Sequence, residues 1–232
     1  MFTSREKLAE LENQLRSAPD RQLLNLLNQL ANRPKTWVHL VSGRPREALT
    51  EWFQALPIGL HAEHGYWSRF SPSEDWVSVR NPIPEWKSRL LPILEQFTKQ
   101  PPDSLVEEKT AGLVWHYRMA NPEFCSIKSN ELFLYLTNSL SNLPVEVMKG
   151  EKIVEIRPQG VHKGIVLSPL WRHLDAGEIL TVAFGDDRSD EDLVAALPQT
   201  GISVHVGGAP SRATHRVASF ENVRQTLHQL LN

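Results

Sequence analysis

Residues 181–192 constrain this chain more than any other stretch. Thr181-Val182-Ala183-Phe184 is an apolar and β-branched run that reads as a buried strand; Gly185 breaks it, and five acidic residues crowd into the next seven positions. Leu193, Val194 and Leu197 then follow at helical spacing. A strand that empties at its C-terminal end onto a carboxylate cluster is where open α/β sheets place their ligand sites. Clustered carboxylate oxygens suit a hard cation such as Mg²⁺. They suit equally the first turn of a solvated helix, where the dipole favours Asp and Glu. On this stretch alone both readings stay open.

The same rhythm recurs at both ends of the chain. Asp20 opens an amphipathic helix carrying Leu23, Leu24, Leu26, Leu27 and Leu30, with Pro34 ending it, as part of a helical N-terminus spanning the first 32 residues. Trp37-Val38-His39-Leu40-Val41 reads as a strand, residues 47–56 as a helix, and Ile58-Gly59-Leu60-His61-Ala62 as a second strand, an order that favours parallel pairing through crossovers. Near residue 81 the texture changes. Asn81-Pro82-Ile83-Pro84 reads as a rigid connector, and the block after it runs helix (Trp86, Leu90, Ile93, Leu94, Phe97), a strand region over 104–118 bending near Ala111-Gly112, a helix over 122–140, and a hairpin of 145–148 and 153–156 around Lys149-Gly150. Helix 163–174, strand 179–184, helix 191–197, strand 202–206 and helix 220–231 restore the α/β alternation. The expected organisation is one discontinuous α/β domain, residues 1–80 and 159–232, with an α+β domain inserted at 81–158.

Composition narrows the function classes. A chain of 232 residues with 41% hydrophobic and 22% charged residues is an ordinary globular protein, and a net charge of −2 gives no electrostatic reason to expect nucleic acid or an anionic membrane as partner. Cys125 is the single cysteine, so an intramolecular disulfide and a thiolate metal site are both excluded, which fits a cytoplasmic protein. The charged start lacks the apolar core of a signal peptide, and no run approaches the roughly 18 apolar residues of a membrane-spanning helix.

Three short motifs sit at strand ends or helix starts. Ser42-Gly43-Arg44 follows the strand at 37–41; such a serine offers a hydroxyl and neighbouring N–H groups to a phosphate, or it simply caps the next helix. In Val161-His162-Lys163-Gly164 the lysine opens a helix and is a candidate phosphate partner. Asp186 and Asp190 stand four apart, on one side of a helix start. Serine, lysine and paired aspartates at strand ends describe a magnesium-assisted phosphoryl-transfer site.

Six segments carry a resemblance: Ser42-Gly43-Arg44-Pro45, Leu60-His61-Ala62-Glu63-His64-Gly65, Trp115-His116-Tyr117-Arg118, Val154-Glu155-Ile156-Arg157-Pro158, Val161-His162-Lys163-Gly164 and Gly185-Asp186-Asp187-Arg188-Ser189-Asp190-Glu191-Asp192. In this order they resemble the motifs of trehalose-6-phosphate phosphatases, a family of the haloacid dehalogenase superfamily. The resemblance implies a Rossmann-like three-layer α/β core with an inserted α+β cap domain, Mg²⁺ as cofactor, and release of phosphate from trehalose 6-phosphate. It implies that Ser42 and Gly43 bind the phosphoryl group, that Lys163 neutralises it, that Asp186 is a metal ligand, and that Asp190 supports the metal or orients Lys163. It implies sugar contacts for Glu107, Lys109 and Glu155, with His64, Gly65 and Arg118 as weaker candidates; surface charge on a half-exposed sheet is the other reading of the first three. His116 and Tyr117 read equally well as packing residues. A trehalose-6-phosphate synthase, fused or associated, is the implied protein partner.

One part of the family pattern is missing. The reaction begins at the first aspartate of an apolar-Asp-Xaa-Asp-Gly-Thr strand, which attacks phosphorus, while the second serves as general acid and base. This motif does not occur in the 232 residues. The chain reads as starting just after its own nucleophile strand, so the core is expected to lack its central first strand. The strands at 37–41 and 179–184 are then expected either to pair directly or to leave an open slot, and the chain is expected to be inactive alone. A non-catalytic binder of a sugar phosphate or a partner protein, and a phosphatase for another sugar phosphate such as sucrose 6-phosphate, are the alternatives.

Overall fold

The computed structural model describes residues 18–79, 85–101, 103–174 and 179–231. The connector at 81–84 and the helix expected before residue 18 lie outside the described residues. The first helix, α1 (Arg21–Ala31), begins where Asp20 accepts the Leu23 N–H at 2.8 Å and buries Leu26, Leu27 and Leu30. Strand β1 (His39–Val41), helix α2 (Arg46–Phe53) and strand β2 (Gly59–Ala62) form a crossover unit in which β1 and β2 pair in parallel, Leu40 opposite Leu60. Two short strands unannounced by the sequence pattern, β3 (Trp67–Arg69) and β4 (Val77–Ser78), extend this sheet antiparallel in the order β1-β2-β3-β4. They are too short for a two-residue alternation to declare itself.

The middle of the chain forms a second compact unit, Pro82–Gln159, while Pro19–Asn81 and Gly160–Asn232 form one unit together. The middle unit holds α3 (Trp86–Thr98), β5 (Leu105–Glu108), β6 (Leu113–His116), α4 (Pro122–Ser139), β7 (Val145–Gly150) and β8 (Ile153–Pro158). Its strands form one antiparallel sheet, β5-β6-β8-β7. Leu113, Trp115, Val154 and Ile156 from one sheet face meet Leu90, Leu94, Leu132 and Leu136 from the helices as its core. The β7–β8 hairpin turns at Glu151-Lys152 rather than at Lys149-Gly150, with Lys152 in the left-handed region (φ 60°).

The split unit resumes with a 3₁₀ turn, Lys163–Val166, leading into α5 (Leu167–Leu174), then β9 (Val182–Gly185), a second 3₁₀ turn, Arg188–Asp190, and α6 (Glu191–Ala196). Strands β10 (Ile202–Val206) and β11 (His215–Val217) pair in parallel beside β9, and α7 (Phe220–Gln229) is the last described helix. Strand β9 starts at Val182 rather than Ile179, and α7 buries none of its residues fully. Among the described residues no helix is long and apolar enough to cross a membrane.

The two sheets of the split unit stay separate. Among the described residues strand β1 pairs only with β2, and β9 only with β10. Direct pairing of β1 with β9, one of the two expected outcomes, is not observed. Yet Val41 of β1 packs against the cluster that contains Ala183 of β9, so the two unpaired edges belong to neighbouring halves of one core. Leu180 and Val182 are exposed there, at 65% and 40%.

Candidate functional site

The C-terminal ends of β1 and β2 are stitched together. The Ser42 N–H donates to the His61 carbonyl at 2.9 Å, and the Ser42 carbonyl accepts the His64 N–H at 2.9 Å. Ser42 Oγ accepts the Arg44 N–H at 3.2 Å, a local serine turn. The N-cap of α2 is Pro45, without a side-chain bond, so Ser42 is not that helix's cap. Gly43 lies against the His64 ring, and His64 itself takes a left-handed conformation (φ 59°, ψ 28°) followed by Gly65. A Cβ on Gly65 would meet Val166 at 2.7 Å, so this turn packs directly on the Lys163–Val166 turn. Ser42, Gly43, His64, Gly65 and Lys163 therefore gather at one edge of the split unit.

Lys163 is 7% exposed and its Nζ lies 2.7 Å from Asp190 Oδ1 and 3.5 Å from Asp187 Oδ1. The other Asp190 oxygen accepts the backbone N–H groups of Asp186 (3.0 Å) and Asp187 (3.1 Å), while the Asp190 N–H donates back to Asp187. This reciprocal capping box holds the acidic stretch on the end of β9. It needs Gly185: a Cβ there would fall 2.3 Å from Asp190 Cβ. Burial lifts the Asp190 carboxyl above its ordinary value, with Lys163 pulling the other way. At Asp187 burial also pushes upward, but Lys163, Ser189 and the Asp190 hydrogen bonds outweigh it and hold the carboxyl below the ordinary range. Asp187 is the member of this network that the sequence reading passed over; its three-residue spacing to Asp190 was the available signal.

Asp186 is solvent-exposed. Its backbone N–H is bound, and its carboxylate has no partner among the described residues. A hard cation takes about six oxygen ligands, and among the described residues no group of three or more His, Cys, Asp or Glu side chains is placed to hold a metal. Asp187 and Asp190 already serve Lys163 and backbone N–H groups. These residues do not make a Mg²⁺ site by themselves.

The middle unit gathers a second set of charges on the sheet face opposite its helices. Glu107 of β5 stands across from Val114 of β6, and Val114 across from Glu155 of β8. Lys109 lies just past the end of β5, yet its Nζ reaches Glu155 at 3.0 Å. His116 Nε2 lies 2.8 Å from Glu107 Oε2, and Arg157 Nε lies 3.1 Å from Glu146 Oε1. Arg118 is held at the surface by Glu151 at 3.3 Å. Glu155, Arg157 and His116 are all buried, which is unusual for charges on a plain solvent-facing sheet. A hollow of about 270 Å³ lined by Arg33, Trp37, His39 and Phe70 lies at the other end of β1, away from Ser42.

A split α/β unit with loops at its strand ends and an α+β insertion is the architecture of haloacid dehalogenase-like hydrolases. One of these, from Bacteroides thetaiotaomicron, superposes with a TM-score of 0.67 at 15% identity, over 91% of this chain and 92% of that one, a likeness of fold alone. The family model described as trehalose-phosphatase matches residues 7–224, and the chain belongs to that family. The C. albicans trehalose-6-phosphate phosphatase C-terminal domain is similar at TM-score 0.85 and 26% identity, over 93% of this chain and 85% of that one. A bifunctional trehalose-6-phosphate synthase/phosphatase of Thermoproteus tenax is 37% identical over 92% of this chain but 29% of its own length. An alpha,alpha-trehalose-phosphate synthase (UDP-forming) of Arabidopsis thaliana is 41% identical over 79% of this chain and 22% of its own length. The chain thus spans less than a third of the curated relatives it matches.

Proposed function

We propose that this chain is the phosphatase portion of a trehalose-6-phosphate-processing enzyme, and that its chemistry is hydrolysis of trehalose 6-phosphate to trehalose and phosphate. The observation that carries this reading is the buried Lys163–Asp190 pair, whose 3₁₀ turn packs through Val166 on Gly65, next in the chain to the His64 that hydrogen-bonds the Ser42 carbonyl. Asp190 holds the Lys163 ammonium at a fixed point, where it neutralises charge on a bound phosphoryl group. Ser42 and Gly43 line the same edge as hydrogen-bonding partners for phosphoryl oxygens. Asp186, its carboxylate uncommitted, contributes one donor toward Mg²⁺. The middle unit is read as the cap domain (81–158 against 1–80 and 159–232), with Glu107, Lys109 and Glu155 as sugar-hydroxyl contacts and His64, Gly65 and Arg118 as weaker ones. A synthase portion, fused or associated as the name of the Thermoproteus tenax relative indicates for that protein, is the proposed partner.

The described strands that flank the unpaired edges carry no carboxylate to attack phosphorus: β1 reads His-Leu-Val and β9 Val-Ala-Phe-Gly. We therefore expect no turnover by the 232-residue chain alone. The same observation keeps a second reading in view, a non-catalytic binder of sugar phosphates. Phosphate release should be measured on trehalose 6-phosphate, sucrose 6-phosphate and glucose 6-phosphate with Mg²⁺, for this chain and for one extended by an apolar-Asp-Xaa-Asp-Gly-Thr strand. Turnover of trehalose 6-phosphate only after extension supports the proposal. Turnover by the chain alone would refute the expected inactivity, and preference for another sugar phosphate would move the substrate. Tight binding with no turnover in either form favours the non-catalytic reading.

A further inference from the structure

We propose that His116 is a positioning residue that fixes the Glu107 carboxylate as a one-sided acceptor for sugar hydroxyls. The proposal rests on the reading of Glu107, Lys109 and Glu155 as sugar contacts. A glutamate at a strand edge has three rotatable bonds, and ordering it on a ligand carries an entropy penalty. Here the ordering is already done. His116 Nε2–H donates to Glu107 Oε2 at 2.8 Å, and the imidazole is only 10% exposed, held in β6 between β5 and β8. Among the described residues the Glu107 carboxylate accepts no other hydrogen bond, and the side chain is 28% exposed, so Oε1 remains for a ligand.

Beside it, Lys109 and Glu155 are paired at 3.0 Å and nearly closed to solvent, and the fully buried Val114 sets the spacing between the two carboxylates. A carboxylate and an ammonium–carboxylate pair held at that spacing match the vicinal hydroxyls of a saccharide. The sequence left His116 open as a packing residue, and its burial fits that role too.

Two variants separate the roles in the full 232-residue chain. His116→Gln keeps an N–H donor near the Nε2 position and loses the ring; His116→Phe keeps the ring and loses the donor. Binding is read by calorimetric titration with trehalose 6-phosphate. Independently of any ligand, the Glu107 carboxyl is followed by ¹³C NMR from pH 3 to 7. Burial pushes this carboxyl upward, but the His116 hydrogen bond and Lys109 outweigh it and hold it low. Expected are binding by His116→Gln within about threefold of the parent chain and binding by His116→Phe weakened about tenfold or more. Glu107 should titrate higher in the Phe variant only. Equal binding by the Phe variant, or a Gln variant as weak as Phe, overturns the positioning role. A parent chain that binds no trehalose 6-phosphate overturns the sugar reading itself and this role with it.

Discussion

At Lys163 a single ammonium meets two carboxylates, Asp190 and Asp187. It sits 2.7 Å from Asp190 inside the fold, and Asp190 in turn fixes the backbone of Asp186 and Asp187 through its second oxygen. Removing the cation leaves a buried carboxylate uncompensated, an event that costs about 3 kcal/mol or more. Lys163→Met should therefore lower unfolding stability by about that amount in urea titrations, whereas Asp186→Asn, at an exposed unpaired carboxylate, should stay within about 0.5 kcal/mol. Gly185 is the other sensitive position. A methyl group there would stand 2.3 Å from Asp190 Cβ, so Gly185→Ala must push the acidic turn off the end of β9. A loss of about 1–3 kcal/mol is expected in the same assay, in line with overpacking elsewhere. Ser42, Lys163 and Asp190 were legible as candidates because their residue types and strand-end positions are visible in the chain. Asp187 was not singled out, since its contact with Lys163 depends on how the 3₁₀ turn folds back.

At the scale of elements, the β1–β2 pair carries a buried imidazole ladder. His39 Nδ1 lies 3.1 Å from His61 Nε2, and His61 Nδ1 lies 2.8 Å from Ser68 Oγ, while Phe70 meets His61 edge-on and stacks on His173. Burial, with a smaller contribution from His173, lowers His39 from 6.5 to about 4. Burial, with a smaller one from His39, lowers His61 to about 3. Below pH 6.5 the unfolded chain takes up protons that the folded sheet refuses, so stability is unaffected above that value and falls as pH drops toward 4 and then 3. Each histidine contributes a slope of at most about 1.4 kcal/mol per pH unit. Urea unfolding at pH 7.5, 6 and 5 should show this decline, and His61→Gln should flatten it. An unchanged slope in the variant would mean that other groups dominate. The hairpins of the middle unit were foreseen, since alternation and turn residues are local. Strands β3, β4 and β11 were not, because three or fewer residues hold too little pattern and the neighbouring sheet decides them.

For the molecule as a whole, the deciding feature is a sheet in two parts. Among the described residues β1 and β9 each present one row of unpaired backbone groups, and both carry parallel neighbours on the far side. Such edges are exchange-prone and aggregation-prone unless covered. In hydrogen exchange, the outward amides of His39–Val41 and Val182–Gly185 should exchange at least tenfold faster than those of β6, which is paired on both sides. Equal protection would mean that both edges are covered in solution. The family's missing motif had led to two alternatives here, direct pairing of the two strands or an open slot. The sequence could not choose, because strand pairing depends on contacts between residues more than 140 positions apart.

What the chain by itself determined is local and chemical. It set the α/β alternation, the inserted α+β block, the serine, lysine and aspartate motifs at strand ends, and the want of a nucleophile motif. These follow from residue type and short-range spacing, which backbone geometry translates directly into helix, strand and turn. Tertiary structure alone decided which carboxylate takes the Lys163 ammonium, that Asp186 remains uncommitted, that His116 turns to Glu107, and that β1 and β9 do not pair with each other. Each of those outcomes is a contact between segments distant in sequence, settled by burial and by competition among partners that meet only once the chain has folded.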